Sequence, residues 1–133
     1  MSVQKLSPNL LALDTSNQYC SVSLHWGGQI LAQHEWSEQK HSQMILPMVR
    51  ALMSAQNADF ADLDALVVGI GPGGFTGVRL AVSVAQGLAF AAQKPVLAYS
   101  SLAAMALAGL RQTAATQIVI AMDGRMQQEY WAH

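Results

Sequence analysis

The period of apolar and polar positions changes repeatedly along the chain, and each change predicts an element. Leu10-Leu11-Ala12-Leu13 is a short apolar run closed by Asp14-Thr15-Ser16, the form of a buried strand entering a polar turn. Cys20-Ser21-Val22-Ser23-Leu24 alternates apolar with polar, as a half-buried strand does. Gly27-Gly28 turns the chain and Ile30 to Trp36 returns, so the opening reads as a three-stranded meander. From His41 onward, Met44, Ile45, Met48, Val49, Leu52 and Met53 recur in pairs four residues apart, which predicts one apolar helical face. Pro47 sits inside that pattern, where it removes a backbone donor.

Leu66-Val67-Val68-Gly69-Ile70 predicts a strand and Gly71-Pro72-Gly73-Gly74 breaks it. Thr76 is placed to cap a helix running from Gly77 to about Gln93. Pro95 to Tyr99 predicts another strand, and Ser100-Ser101 opens a third helix ending near Gly109. Strands separated by helices imply parallel pairs beside the antiparallel meander. Ile118 to Asp123 then repeats the form of the first strand, with Gln128 to Trp131 as its hairpin partner. The expected organisation is an α/β domain over 1–112 and the start of a similar unit over 113–133, too short to bury a sheet face independently.

Apolar residues make up 52% of the 133 and charged residues only 11%, so some apolar surface is expected to meet a partner. The net charge of −1, with no run of Lys or Arg, lacks the electrostatic footprint of a nucleic-acid binder. A lone Cys20 cannot form an internal disulfide and fits a reducing compartment, the cytoplasm. Leu80 to Ala92, the longest apolar stretch, is interrupted by Ser83 and Gln86 and is shorter than the roughly 20 residues of a spanning helix, so no membrane association is expected.

Three patterns invite chemistry. Gly69-Ile70-Gly71-Pro72-Gly73-Gly74 matches GxGxxG after a strand, yet no Asp or Glu occurs between Asp64 and Asp123 to hold a ribose. None of Lys5, Lys40 and Lys94 follows a glycine-rich loop at Walker spacing. What remains of that turn, carried by Gly71, Gly73, Gly74, Thr76 and Gly77, either accepts an anion or simply joins strand to helix. Asp14, Thr15 and Ser16 are weak phosphate-loop candidates, equally readable as turn residues. His25, His34, His41 and His133 form no paired ligand spacing, so no metal is expected. The second helix is apolar nearly all round and must be covered on two sides. Met44, Met48 and Leu52 of the first helix, with Val78, Val82, Val84, Ala85 and Leu88 of the second, are the partner-interface candidates.

Leu11 to Ser16 with Cys20 to Leu24, His41-Ser42-Gln43 leading to Leu46-Pro47, and Gly71-Pro72-Gly73-Gly74-Phe75-Thr76-Gly77-Val78-Arg79 together resemble the TsaB (YeaZ) family. Asp123-Gly124-Arg125-Met126 with Glu129 to Ala132 resembles the start of that family's second domain. Gly74 stands where the family has Ser, and Gly124 where it often has Ala. The resemblance implies an actin-like (ASKHA, ribonuclease H-like) fold with a mixed five-stranded sheet. It also implies a non-catalytic role, with no cofactor, supporting the catalytic paralogue TsaD in threonylcarbamoyladenosine formation on tRNA. TsaE, an ATPase, joins that assembly, a homodimer uses an overlapping surface, and tRNA is reached only through the complex. Where TsaD carries two metal-binding histidines, Ser101 and Met105 stand here. A peptidase and a nucleotide-binding enzyme of the same fold class are the competing readings.

Overall fold

The computed structural model of the protein describes residues 7–125 and 127–133. Lys5 and Met126 of the motifs above lie outside the described residues. The meander forms as β1 (Leu10–Asp14), β2 (Tyr19–Trp26) and β3 (Gln29–Trp36). Next come α1 (His41–Ala55), β4 (Ala65–Gly69), α2 (Phe75–Ala92), β5 (Val96–Tyr99) and α3 (Ser101–Gln112). The chain closes with β6 (Ile120–Arg125) and β7 (Gln128–Ala132).

Five strands make one sheet in the order β3-β2-β1-β4-β5, while β6 and β7 pair separately. The meander pairs are antiparallel, and β4 lies parallel to both β1 and β5. Register puts Leu11 opposite Leu24 and Leu66, and Leu13 opposite Val22 and Val68, so these side chains share one sheet face. Both α1 and α2 cover that face: Ile45, Met48, Val49, Leu52 and Met53 of α1 and Ala81, Ala85 and Ala89 of α2 join the same buried cluster. Each fully buried leucine there contributes roughly 1.5–3 kcal/mol.

Small residues govern how α2 sits. Gly77, Ala81, Ala85 and Ala89 recur every fourth position, and the three alanines are buried where the helix packs on β4 and β1. By length and apolar composition alone, α2, at 18 residues, suffices to cross a membrane, which the apolar run from Leu80 understated. One face, Ala81, Ala85 and Ala89, is buried against the sheet, while 17% of the helix is buried in all.

Several boundaries differ from those expected, each for a local reason. The α2 helix starts at Phe75 with Gly74, not Thr76, at its cap; no side chain caps it, and the Gly74 N–H donates to the Ser16 carbonyl at 2.8 Å. Thr76 therefore lies in the first turn, exposed. Helix α3 runs three residues past Gly109, where the Ile118 side chain packs in the space a Cβ would take. The strand β6 begins at Ile120, so Ile118 and Val119 lie outside it. Pro47 falls on the exposed side of α1, where the carbonyl left without a donor faces water, and the helix continues through it.

Truncating Leu66, fully buried, to Ala should cost about 2–5 kcal/mol in urea unfolding. Phe90→Ala, at a side chain 88% exposed, should stay within about 0.5 kcal/mol. Equal losses would place the core elsewhere.

Candidate functional site

Several mutually bonded polar side chains gather at the carboxyl ends of β1, β4 and β5, around Asp14-Thr15-Ser16. Register sets Asp14 beside Gly69, and Gly69 beside Tyr99, on the sheet face opposite the helices. The Asp14 carboxylate crosses over Gly69, where a Cβ would meet Oδ2 at 2.2 Å, and accepts from the Tyr99 hydroxyl at 2.9 Å. Its other oxygen accepts from the Ser16 N–H at 2.8 Å and from the Ser16 hydroxyl at 2.6 Å. Because Ser16 donates to Asp14, the Ser101 hydroxyl, 3.2 Å away, must be the donor to Ser16.

The glycine-rich turn closes this arrangement from above. A Cβ on Gly77 would lie 1.9 Å from the Thr15 carbonyl, and one on Gly73 would lie 2.2 Å from that of Ser16. The Thr15 hydroxyl donates to the Gly77 carbonyl, and the Ser101 N–H donates to that of Gly71, across a cis Gly71-Pro72 peptide. Thr15 is 1% exposed and Ser16 is 3% exposed. Of the phosphate-loop candidates, Thr15 and Ser16 thus have their hydroxyls engaged inside the protein, with the glycine-rich turn packed against their carbonyls. Burial equally keeps the Ser16 hydroxyl from a substrate. Of the turn residues, Gly73 and Gly77 are needed for close approach, while Gly74 meets only Ser16 O at 3.8 Å.

Two of the histidines likewise serve the fold. His41 bonds the Ser37 hydroxyl through Nδ1 at 2.9 Å and donates from Nε2 to the Asn17 carbonyl at 2.8 Å, tying the start of α1 to the β1–β2 loop. His25 bonds Ser7 and the Pro8 carbonyl. Among the described residues, no three His, Cys, Asp or Glu side chains gather as metal ligands. An open cleft of about 530 Å³ lies on the β6–β7 hairpin, lined by Met122, Asp123, Glu129 and Trp131 among others, and includes none of the candidate residues.

The interface candidates divide. Met48, Leu52 and Ala85 are corrected to core positions, 5%, 8% and 0% exposed, because the apolar face of each helix is the one laid on the sheet. Met44, Val78, Val82, Val84 and Leu88 are half-buried at its margin. Sequence reasoning missed the exposed aromatics of α2: Phe75 is 75% exposed, with the Arg79 guanidinium 4.8 Å above its ring, and Phe90 lies near the other end. Spacings of 4, 7 and 15 put Arg79, Val82 and Phe90 on the same side of the helix as Phe75, whereas Val84 lies roughly 180° away. That stripe was legible in the spacing.

A mixed five-stranded sheet with two helices on one face and this connectivity is an α/β fold of the actin-like, ribonuclease H-like class. The family model described as TsaD, tRNA N6-adenosine threonylcarbamoyltransferase, matches residues 29–133, and the chain belongs to that family. Within it the chain falls with TsaB/YeaZ proteins, as its motifs imply. The tRNA threonylcarbamoyladenosine biosynthesis protein TsaB of Escherichia coli (strain K12) is 42% identical over 92% of this chain and 53% of its own length. YeaZ from Pseudomonas aeruginosa is 47% identical in structure-based comparison, with TM-score 0.88, over 93% of this chain and 58% of its own. A further solved protein, described as similar to peptidase YeaZ from Pseudomonas aeruginosa, gives 47% identity and TM-score 0.89 over 93% of this chain and 57% of its own. The chain spans about half the length of the curated relatives it matches.

Two outcomes follow from the closed loop. Gly77→Ala should lower stability by about 1–3 kcal/mol or more by overpacking against Thr15. Gly87→Ala, with nothing within 4 Å, should raise it by about 0.4–1 kcal/mol in the same urea titration. Burial also pushes the Cys20 thiol up from 9.0 to about 11, and burial followed by the Asp14 charge and hydrogen bond pushes the Tyr99 hydroxyl up as well. The folded chain thus holds protons that the unfolded chain releases, so stability should fall as pH rises from 9.0 to about 11. Urea midpoints across that window should decline, less steeply in Cys20→Ala; flat midpoints would contradict the assignment.

Proposed function

We propose that this chain acts as a non-catalytic subunit in formation of threonylcarbamoyladenosine on tRNA, docking the catalytic subunit TsaD through α2. The observation that carries this reading is the pairing of an internally engaged Asp14-Thr15-Ser16 loop with an exposed aromatic and cationic stripe, Phe75, Arg79 and Phe90, beside the half-buried Val82. Phe and Arg are among the residues enriched at protein–protein interfaces relative to the rest of the surface. Met44, Val84 and Leu88 are half-buried and pack against the core cluster, away from that stripe.

The curated names of the relatives support the pathway, and the family model supports kinship with the transferase. A second copy of the chain would compete for the same stripe, and TsaE would join through the assembled complex. With a net charge of −1, this chain would leave tRNA to its partners, and the cytoplasm is the place of action. A peptidase role fares poorly because Ser16, a serine bonded to a carboxylate, is buried.

Co-expression with TsaD tests the reading. The unsubstituted chain should co-purify with TsaD, whereas Val82→Asp and Phe90→Asp, each folded by circular dichroism, should lose at least tenfold in recovery. Gln29→Ala on β3 should not. Full recovery of both charged variants would refute the α2 surface, and no recovery of the unsubstituted chain would refute the partnership itself.

A further inference from the structure

We propose that Tyr99, Asp14, Ser16 and Ser101 form a latch that holds α3 and the β6–β7 hairpin, as one body, in a single orientation against the five-stranded sheet. Helix α3 is unusual in this molecule because only Ser101, at its first position, is buried. Met105 and Leu107 are 43% and 52% exposed. Instead of lying on the sheet, α3 packs on β6 and β7, with Ile118 fitted against Gly109. A single residue, Ser100, separates the end of β5 from the start of α3.

What holds the first turn of α3 is a chain of hydrogen bonds. The Ser101 hydroxyl bonds Ser16 at 3.2 Å, the Ser16 hydroxyl bonds Asp14 at 2.6 Å, and Asp14 bonds Tyr99 at 2.9 Å. The Ser101 N–H adds a bond to the Gly71 carbonyl at 2.8 Å. These contacts converge on two residues flanking Ser100, so they fix the backbone angles through which the outer body would swing. A helix held at one end by hydroxyl groups, with little apolar area against the sheet, is a pivot rather than a packed layer. Removing the hydroxyls leaves the sheet core untouched, since none of the four residues belongs to the apolar cluster.

Distance measurement between spin labels tests the latch. Labels go on Gln29→Cys in β3 and Glu129→Cys in β7, both exposed. Native Cys20 is fully buried, with its thiol pushed up to about 11, and so resists labelling at neutral pH. The latched protein should give one narrow distance distribution by double electron–electron resonance. Tyr99→Phe combined with Ser101→Ala should at least double its width without loss of circular dichroism signal. Should the double variant not fold, Tyr99→Phe alone, which removes only an oxygen, should still broaden the distribution. An unchanged width in the folded variants, or a broad distribution in the unsubstituted protein, would overturn the latch.

Discussion

The backbone of Gly77 lies against the Thr15 carbonyl with room for no more than a hydrogen between them, and this close approach sets the depth at which α2 enters the molecule. From that point Ala81, Ala85 and Ala89 carry the same spacing along the helix, so β4 and β1 receive α2 at short range. The turn that delivers the helix is pressed onto Ser16 through Gly73, and the Gly74 cap amide and the Gly77 carbonyl find partners in Ser16 and Thr15. Polar groups that would otherwise face a ligand are thereby satisfied by the protein, as buried polar groups must be.

One consequence concerns where function can reside. A loop whose hydroxyls are all internally bonded stabilises the junction of three strand ends; it does not present those groups to substrate. The exterior of α2, by contrast, carries two phenylalanines and an arginine that contribute nothing to the buried cluster. The fold class and family are those of a tRNA-modifying transferase, while the side chains at the strand ends serve cohesion. Shared architecture and divergent chemistry are compatible because activity depends on particular groups placed on a fold.

Much of the fold was legible in the sequence because period and punctuation agreed. Alternation in Cys20 to Leu24, the Gly27-Gly28 turn and the four-residue spacing from Met44 each predicted the element that forms. The inside of a helix was harder to assign. Met48, Leu52 and Ala85 share the apolar faces of their helices, and spacing alone does not say whether such a face meets a sheet or a partner. The partners of Asp14 were invisible for a different reason: Tyr99 and Ser101 stand 85 residues away from the groups they bond, joined only by the parallel register of β1, β4 and β5. The Gly74 cap was hidden because Thr76 is the better capping side chain, whereas the structure caps the helix at Gly74 with no side-chain bond, next to Gly73, which lies close to Ser16.

The central claim is that this chain works through the outside of α2 and not through the Asp14-Thr15-Ser16 loop. Amide chemical-shift mapping of the isotope-labelled chain tests it most directly, with TsaD and ATP added in separate titrations. The account predicts that TsaD shifts or broadens the amides of Phe75, Arg79, Val82 and Phe90, while ATP leaves those of Thr15 and Ser16 unmoved. Saturable ATP-induced shifts at Thr15 and Ser16, with α2 silent toward TsaD, would contradict it.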